Sequence, residues 1–221
     1  MAVAYSSKHQ KGSDLQFSID STKLISVFKG RNKPTTTLAH ISVFDVDETG
    51  EVAATATDNR VDPIQIPFGF AFNGNNPEQF YITEASFGGV LVSLDYATNK
   101  VSALEVVNST SFAASCWAVW SSITDTYYDI NSVTPSVGKI DSTGMLEGFI
   151  KYDKSLEGGF DAVLDGEKLY MLTGPANVII VINVRTGKVL QKFEYGTMED
   201  RPFWTGMAMY PANPLLSGGM A

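Results

Sequence analysis

Apolar and polar positions alternate along most of this chain in short runs, each cut off by glycine, asparagine, proline or aspartate. The stretch PFGFAFNGNNPEQFYITEASFGGVLVSLDYATNKV, residues 67–101, shows the pattern most plainly. It predicts a strand over 69–72, a Gly/Asn/Pro turn, a second strand over 79–83, a Ser-Phe-Gly-Gly loop, a third strand over 90–94 and a Thr98-Asn99 turn into a fourth. Short strands joined by turns make one antiparallel sheet with two faces to bury, so such a unit needs neighbours.

The rest of the chain supplies them. Strands are predicted on either side of an Asp20-Ser21 turn within 15–28, then over 40–46 and 51–56; over 117–120, 126–130, 137–140 and 145–150; and over 161–164, 169–172, 178–184 and 189–193. Residues 204–210 open a further inner strand, and 2–6 form a spare one. A threonine followed by a residue that enters positive φ cheaply recurs at Thr49-Gly50, Thr98-Asn99, Thr143-Gly144 and Thr186-Gly187, with spacings of 49, 45 and 43 residues. That is the period of four-stranded propeller blades. The expectation is an all-β, propeller-type chain forming a single domain over 1–221, with blades at 14–57, 66–107, 116–151 and 160–195 and a partial fifth at 202–211. Hairpins stacked as a sandwich or solenoid are the alternative.

Composition narrows the partners. Hydrophobic residues make up 44% and charged residues only 18%, which favours sheets covered on both faces. A formal net charge of -8 leaves no electrostatic footprint for nucleic acid or an anionic membrane. The single cysteine, Cys116, precludes an intrachain disulfide or a cysteine zinc cluster, and the two histidines, His9 and His40, have no metal-ligand spacing. Neither metal nor cofactor is expected. The first residues have no signal-peptide pattern, and a cytoplasmic setting is favoured. Asn108-Ser109-Thr110 is a sequon that matters only in a secreted chain.

PFGFAF followed by YITEA, then SCWAVW, then a Thr-Gly hairpin resembles the seven-bladed lactonase-like propellers, which include 3-carboxy-cis,cis-muconate lactonising enzymes and 6-phosphogluconolactonase-like proteins. The resemblance runs from about residue 15 to about residue 210 and matches the family's C-terminal four to five blades. It implies an open fragment, a compact closed ring, or a homodimer in which two chains complete one ring. Where relatives carry a Gly-Pro-Arg-His-like entry to an inner strand, Lys11-Gly12-Ser13-Asp14 keeps only the glycine.

Loops entering the inner strands crowd one rim of a propeller, so candidate residues are sought there. Glu84 in YITEA, through its resemblance to the family's Thr-Glu-Ala, is the candidate general acid/base or polar anchor; the plainer alternative is a carboxylate bonding backbone amides of the 86–89 loop. Arg31, Lys29, Arg201 and Asp161 sit at comparable loop positions; Arg31 and Arg201 are candidates to orient an anionic substrate, with solvated loop arginines as the alternative. Phe68, Phe87, Trp117, Phe160 and Trp204 are candidates for an aromatic pocket, or else for packing between blades. Cys116 lacks a nearby base and reads as a buried structural thiol. Two functions follow: a lactonase or cycloisomerase-like enzyme acting on a small organic acid or lactone at the rim, or a non-catalytic propeller that binds a protein partner.

Overall fold

The computed structural model describes residues 12–30, 38–195 and 207–208. These form four antiparallel sheets of four strands each. The first holds β1 (Gly12–Phe17), β2 (Lys23–Phe28), β3 (His40–Asp45) and β4 (Thr57–Asn59). The second holds β5 (Pro67–Asn73), β6 (Asn76–Glu84), β7 (Gly88–Asp95) and β8 (Lys100–Asn108). The third holds β9 (Ser115–Ser121), β10 (Thr126–Asn131), β11 (Ser136–Asp141) and β12 (Leu146–Lys151). The fourth holds β13 (Asp161–Asp165), β14 (Lys168–Thr173), β15 (Val178–Asn183) and β16 (Lys188–Glu194). Within each sheet the strands follow chain order. The first strands, β1, β5, β9 and β13, lie side by side from one sheet to the next. The sheets are therefore propeller blades, and a sandwich is excluded.

Strand periodicity explains how one blade serves two neighbours. Along β6, Phe80 and Ile82 join Ile25, Val27, Ile41 and Val43 of the first blade, whereas the intervening Tyr81 joins Tyr127 and Ile140 of the third. A third apolar layer, with Tyr128 and Ile130 meeting Leu169, Met171, Ile180 and Ile182, closes the third blade on the fourth. Each layer is dry: Phe80, Tyr81, Tyr127 and Tyr128 are all fully buried. Because the side-chain period is two, a one-residue slip in β6 would exchange the two interfaces. Truncating Phe80 to alanine would cost about 3–5 kcal/mol.

The recurring threonine turns form as expected, with φ of 84° at Gly50, 58° at Asn99, 89° at Gly144 and 68° at Gly187. The acidic residue two places ahead does more than keep the turn wet. Asp47 Oδ1 accepts from Thr49 N, Thr49 Oγ1 and Glu51 N, and Asp141 Oδ1 accepts from the matching atoms of Thr143 and Met145.

One strand differs from expectation. Residues 51–56 contribute a single bridge, Val52 to Val46, and the fourth strand of the first blade falls at Thr57–Asn59 instead. Ala53, Ala54 and Ala56 offer little side chain to pack on a pleated edge, so the chain bulges before pairing resumes with Thr57 opposite Val43. The strands expected over 2–6 and 204–210 fall almost wholly outside the described residues; Met207 and Ala208, which are described, are not in a strand.

Candidate functional site

The four inner strands converge on a solvent-open groove of about 770 Å³. Its apolar wall includes Phe17, Trp117, Trp120 and Leu164. Its charged side chains, among the described residues, are Asp14 from β1 and Asp161 from β13. These two lie 147 residues apart in the chain, and circular arrangement of the inner strands brings them to one space.

Asp14 is held by its neighbours. Its Oδ1 accepts from Leu15 N at 2.7 Å, and its Oδ2 accepts from Gln16 Nε2 at 2.8 Å and from Phe70 N at 3.1 Å. Gln16 Nε2 also donates to Phe70 O at 2.6 Å, and Ser13 Oγ donates to Pro67 O at 2.8 Å. β1 and β5 meet through edge atoms that no sheet ladder uses, and these side chains fill the gap. Asp161 Oδ1 accepts from Ala162 N at 2.7 Å, and its Oδ2 accepts from Met207 N at 2.6 Å.

Both carboxyls titrate above the usual range because burial disfavours their charged forms, and the hydrogen bonds only partly offset this. The charge on Asp14 raises Asp161 further. A pair of carboxyls in which one charge opposes the other is suited to divide the roles of base and acid.

Glu84 lies elsewhere. It is fully buried at the end of β6. Its Oε2 accepts from Gln65 N at 2.9 Å and Ile66 N at 2.6 Å, and its Oε1 accepts from Ser86 N at 3.2 Å and Ser86 Oγ at 2.7 Å. The carboxylate thereby ties the entry of β5 to the loop after β6. Phe87 in that loop packs against the core between the first two blades. Trp117 is half-buried and does double service: it lines the groove, and it packs between Phe68 and Phe160 at ring distances of 6.2 and 6.1 Å. Lys29 stacks its ammonium over Phe68. Arg31, Arg201 and Trp204 lie outside the described residues.

Cys116 is buried, with Sγ 3.2 Å from Ser132 Oγ, and burial raises its thiol, the opposite of what a nucleophile needs. Among the described residues no three His, Cys, Asp or Glu side chains are grouped to hold a metal ion. Asp14 escaped sequence reasoning, and Asp161 was placed at the rim there without a role. The available signal was weak: each is an aspartate at the start of an inner strand, a position that in isolation reads as a turn residue.

Comparison with known proteins finds no matching family model and no matching curated protein. Solved structures do match in fold. The periplasmic gluconolactonase of Pseudomonas aeruginosa superposes with a TM-score of 0.67 at 13% identity, covering 84% of this chain and 58% of that one. Putative 6-phosphogluconolactonases from Bacteroides fragilis and Bacteroides uniformis superpose with TM-scores of 0.61 and 0.62, each at 16% identity, covering 84% of this chain and 55% of theirs. The chain thus has a lactonase-like β-propeller fold. It spans little more than half the length of these structures, and its described residues form four blades.

Proposed function

We propose that the chain handles small lactones in the groove between its inner strands, with Asp14 and Asp161 as the reacting pair. The observation that carries this reading is the convergence of two partly dehydrated carboxyls on one cavity beside aromatic walls. The fold likeness to structures described as gluconolactonase and putative 6-phosphogluconolactonase supports it.

In hydrolysis, Asp14, stabilised as an anion by its three donors, takes a proton from water as the water oxygen bonds to the lactone carbonyl carbon. The ring acyl C–O bond then breaks. Asp161, whose carboxyl burial and the Asp14 charge hold above the usual range, gives a proton to the departing ring oxygen, and a hydroxy acid results. Isomerising cycloisomerase chemistry would use the same pair without the water. Glu84 acts in this reading as an anchor for the groove's entry loop, and Arg31 and Arg201 have no assigned part.

The test is the rate of glucono-1,5-lactone opening followed by a pH indicator. Wild type should exceed the buffer rate, and Asp14→Asn and Asp161→Asn should each lower the catalysed rate by about 10²-fold or more while the protein remains folded. No acceleration by wild type would exclude the reading.

A second reading, a non-catalytic propeller binding protein, is favoured by Leu15. It pairs with Ser26 on the face of the first blade turned away from Ile25 and Val27, and it is 56% exposed. A second copy that completes the ring is one such partner. Sedimentation would show a mass near twice 24.0 kDa, reduced to the monomer by Leu15→Lys.

A further inference from the structure

We propose that Gln16 is a further catalytic residue of the groove, its amide oxygen holding the attacking water against Asp14. The proposal rests on the lactone-opening reading and adds a residue to it. Gln16 stands on β1 two places after Asp14, so strand alternation puts both side chains on one face, and both line the groove.

The nitrogen of Gln16 is fully committed. Nε2 carries two hydrogens, and they go to Asp14 Oδ2 at 2.8 Å and to Phe70 O at 2.6 Å. Both partners are acceptors. A flipped amide would set its oxygen against the Phe70 carbonyl, so the network admits one orientation. Oε1, at the other end of this pinned amide, accepts from no described residue and is open to solvent.

Asp14 has one acceptor position in hand as well. A carboxylate offers about four lone-pair sites. Oδ2 accepts from Gln16 Nε2 and Phe70 N, whereas Oδ1 accepts from Leu15 N, so the remaining site lies on Oδ1. A water that donates one hydrogen there has a second to place, and Gln16 Oε1 is the neighbouring acceptor. Held at both hydrogens, that water aims a lone pair at the lactone carbonyl carbon. Asp14 takes the first proton as the new C–O bond forms, and the second hydrogen stays on the oxygen that becomes the acid's hydroxyl. The proton gained by Asp14 and the one given up by Asp161 are exchanged back through solvent.

Steady-state opening of glucono-1,5-lactone by Gln16→Met and Gln16→Glu tests this, with the Asp14 midpoint read separately from its carboxyl ¹³C shift. Loss of the Gln16 N–H raises that midpoint whatever else the side chain does. The proteins are therefore compared at pH values where Asp14 is equally ionised. There Gln16→Met should lower kcat by about tenfold or more, with KM moved by less than about threefold. Gln16→Glu returns an acceptor oxygen, and its introduced carboxyl holds its proton beside the Asp14 charge. It should recover most of the loss, then forfeit it as pH rises through the new ionisation.

A Gln16→Met deficit that vanishes once Asp14 ionisation is matched overturns the proposal, because Gln16 then acts only on the Asp14 charge. Recovery by Gln16→Glu at no pH overturns it too. Should Gln16→Met lose its thermal transition, the additional falling limb in Gln16→Glu decides alone: its presence supports the proposal and its absence overturns it. All of these outcomes leave the lactone reading standing, whereas a wild type no faster than buffer removes both.

Discussion

Tyr81 donates its phenolic hydrogen to Asp129 Oδ2 at 2.8 Å across the junction of the second and third blades, between residues 48 apart in the chain. Both side chains are fully buried. Two glycines make room for them: a Cβ at Gly89 would come within 2.3 Å of the Tyr81 hydroxyl, and one at Gly138 would stand 3.4 Å from Asp129 Cβ. The other oxygen of Asp129 has no partner of ordinary hydrogen-bond geometry. Burial outweighs the Tyr81 and Ser115 hydroxyls, which pull the other way, and pushes the Asp129 carboxyl up to about 7.

A pH-dependent junction follows. An unfolded aspartate ionises near 3.8, so between that value and about 7 the folded chain binds the extra proton. Stability contributed by the neutral carboxyl is therefore fully present below pH 4 and is lost progressively as pH rises to 7, at a cost of about 4 kcal/mol once ionised. The groups facing Asp129 are Tyr81 from β6 and Ser115 and Cys116 from β9. Both Tyr81 and Cys116 titrate above their ordinary ranges and stay neutral across this window. Urea unfolding at several pH values from 5 to 8 should show wild type losing stability relative to Asp129→Asn. Parallel curves for the two proteins would show that Asp129 ionises at an ordinary carboxylate pH.

Gly89→Ala tests the packing of the same junction. The added methyl would meet the Tyr81 hydroxyl and, at 2.5 Å, the Ile82 carbonyl oxygen. Neither the strand pairing of Thr83 with Gly89 nor a fully buried ring can yield freely. We expect destabilisation of about 1–3 kcal/mol, read as a lower midpoint in urea with the slope unchanged. A neutral effect would mean that the second and third blades slide apart more easily than their dry interface implies.

Much of this architecture is readable from the sequence because each blade carries its own punctuation. PFGFAF falls in β5, YITE ends β6, and the four recurring turns at Gly50, Asn99, Gly144 and Gly187 adopt positive φ. These signals are local, so a linear reading finds them. Asp129 is not legible in the same way. TYYDIN alternates as a half-solvated strand would, yet all six residues are buried, because blades on both sides cover it. Asp14 and Asp161 are hidden for a related reason: their proximity comes from closure of the inner strands about an axis, which no spacing along the chain records. Glu84 was legible as a residue with a special job, but its four local donors could be assigned only when the 65–66 segment was seen folded beside it.

Glu84→Gln separates a structural from a chemical role for that carboxylate. All four of its hydrogen bonds come from donors, and glutamine must present an NH₂ group to at least one of them. In a site with no solvent access this mismatch should cost about 2–4 kcal/mol. The thermal midpoint should fall, and any lactone-opening activity should fall only as the folded fraction does. Loss of turnover at an unchanged midpoint would instead put Glu84 in the reaction.

The like-charge coupling between Asp14 and Asp161 makes a prediction about each through the other. Asp14 raises Asp161, so Asp14→Asn should lower the Asp161 midpoint toward the ordinary carboxylate range, although burial will hold it somewhat above. Carboxyl ¹³C chemical shifts followed against pH would read this directly, without needing turnover. The same substitution leaves one side-chain oxygen to accept where two accepted from Leu15 N, Gln16 Nε2 and Phe70 N, while Gln16 keeps its bond to Phe70 O. β1 should consequently stay docked on β5, and the midpoint of Asp161 can be measured in a folded protein. If that midpoint does not move, the two carboxyls are electrostatically independent, and the division of labour between a charged base and a protonated acid has no physical basis.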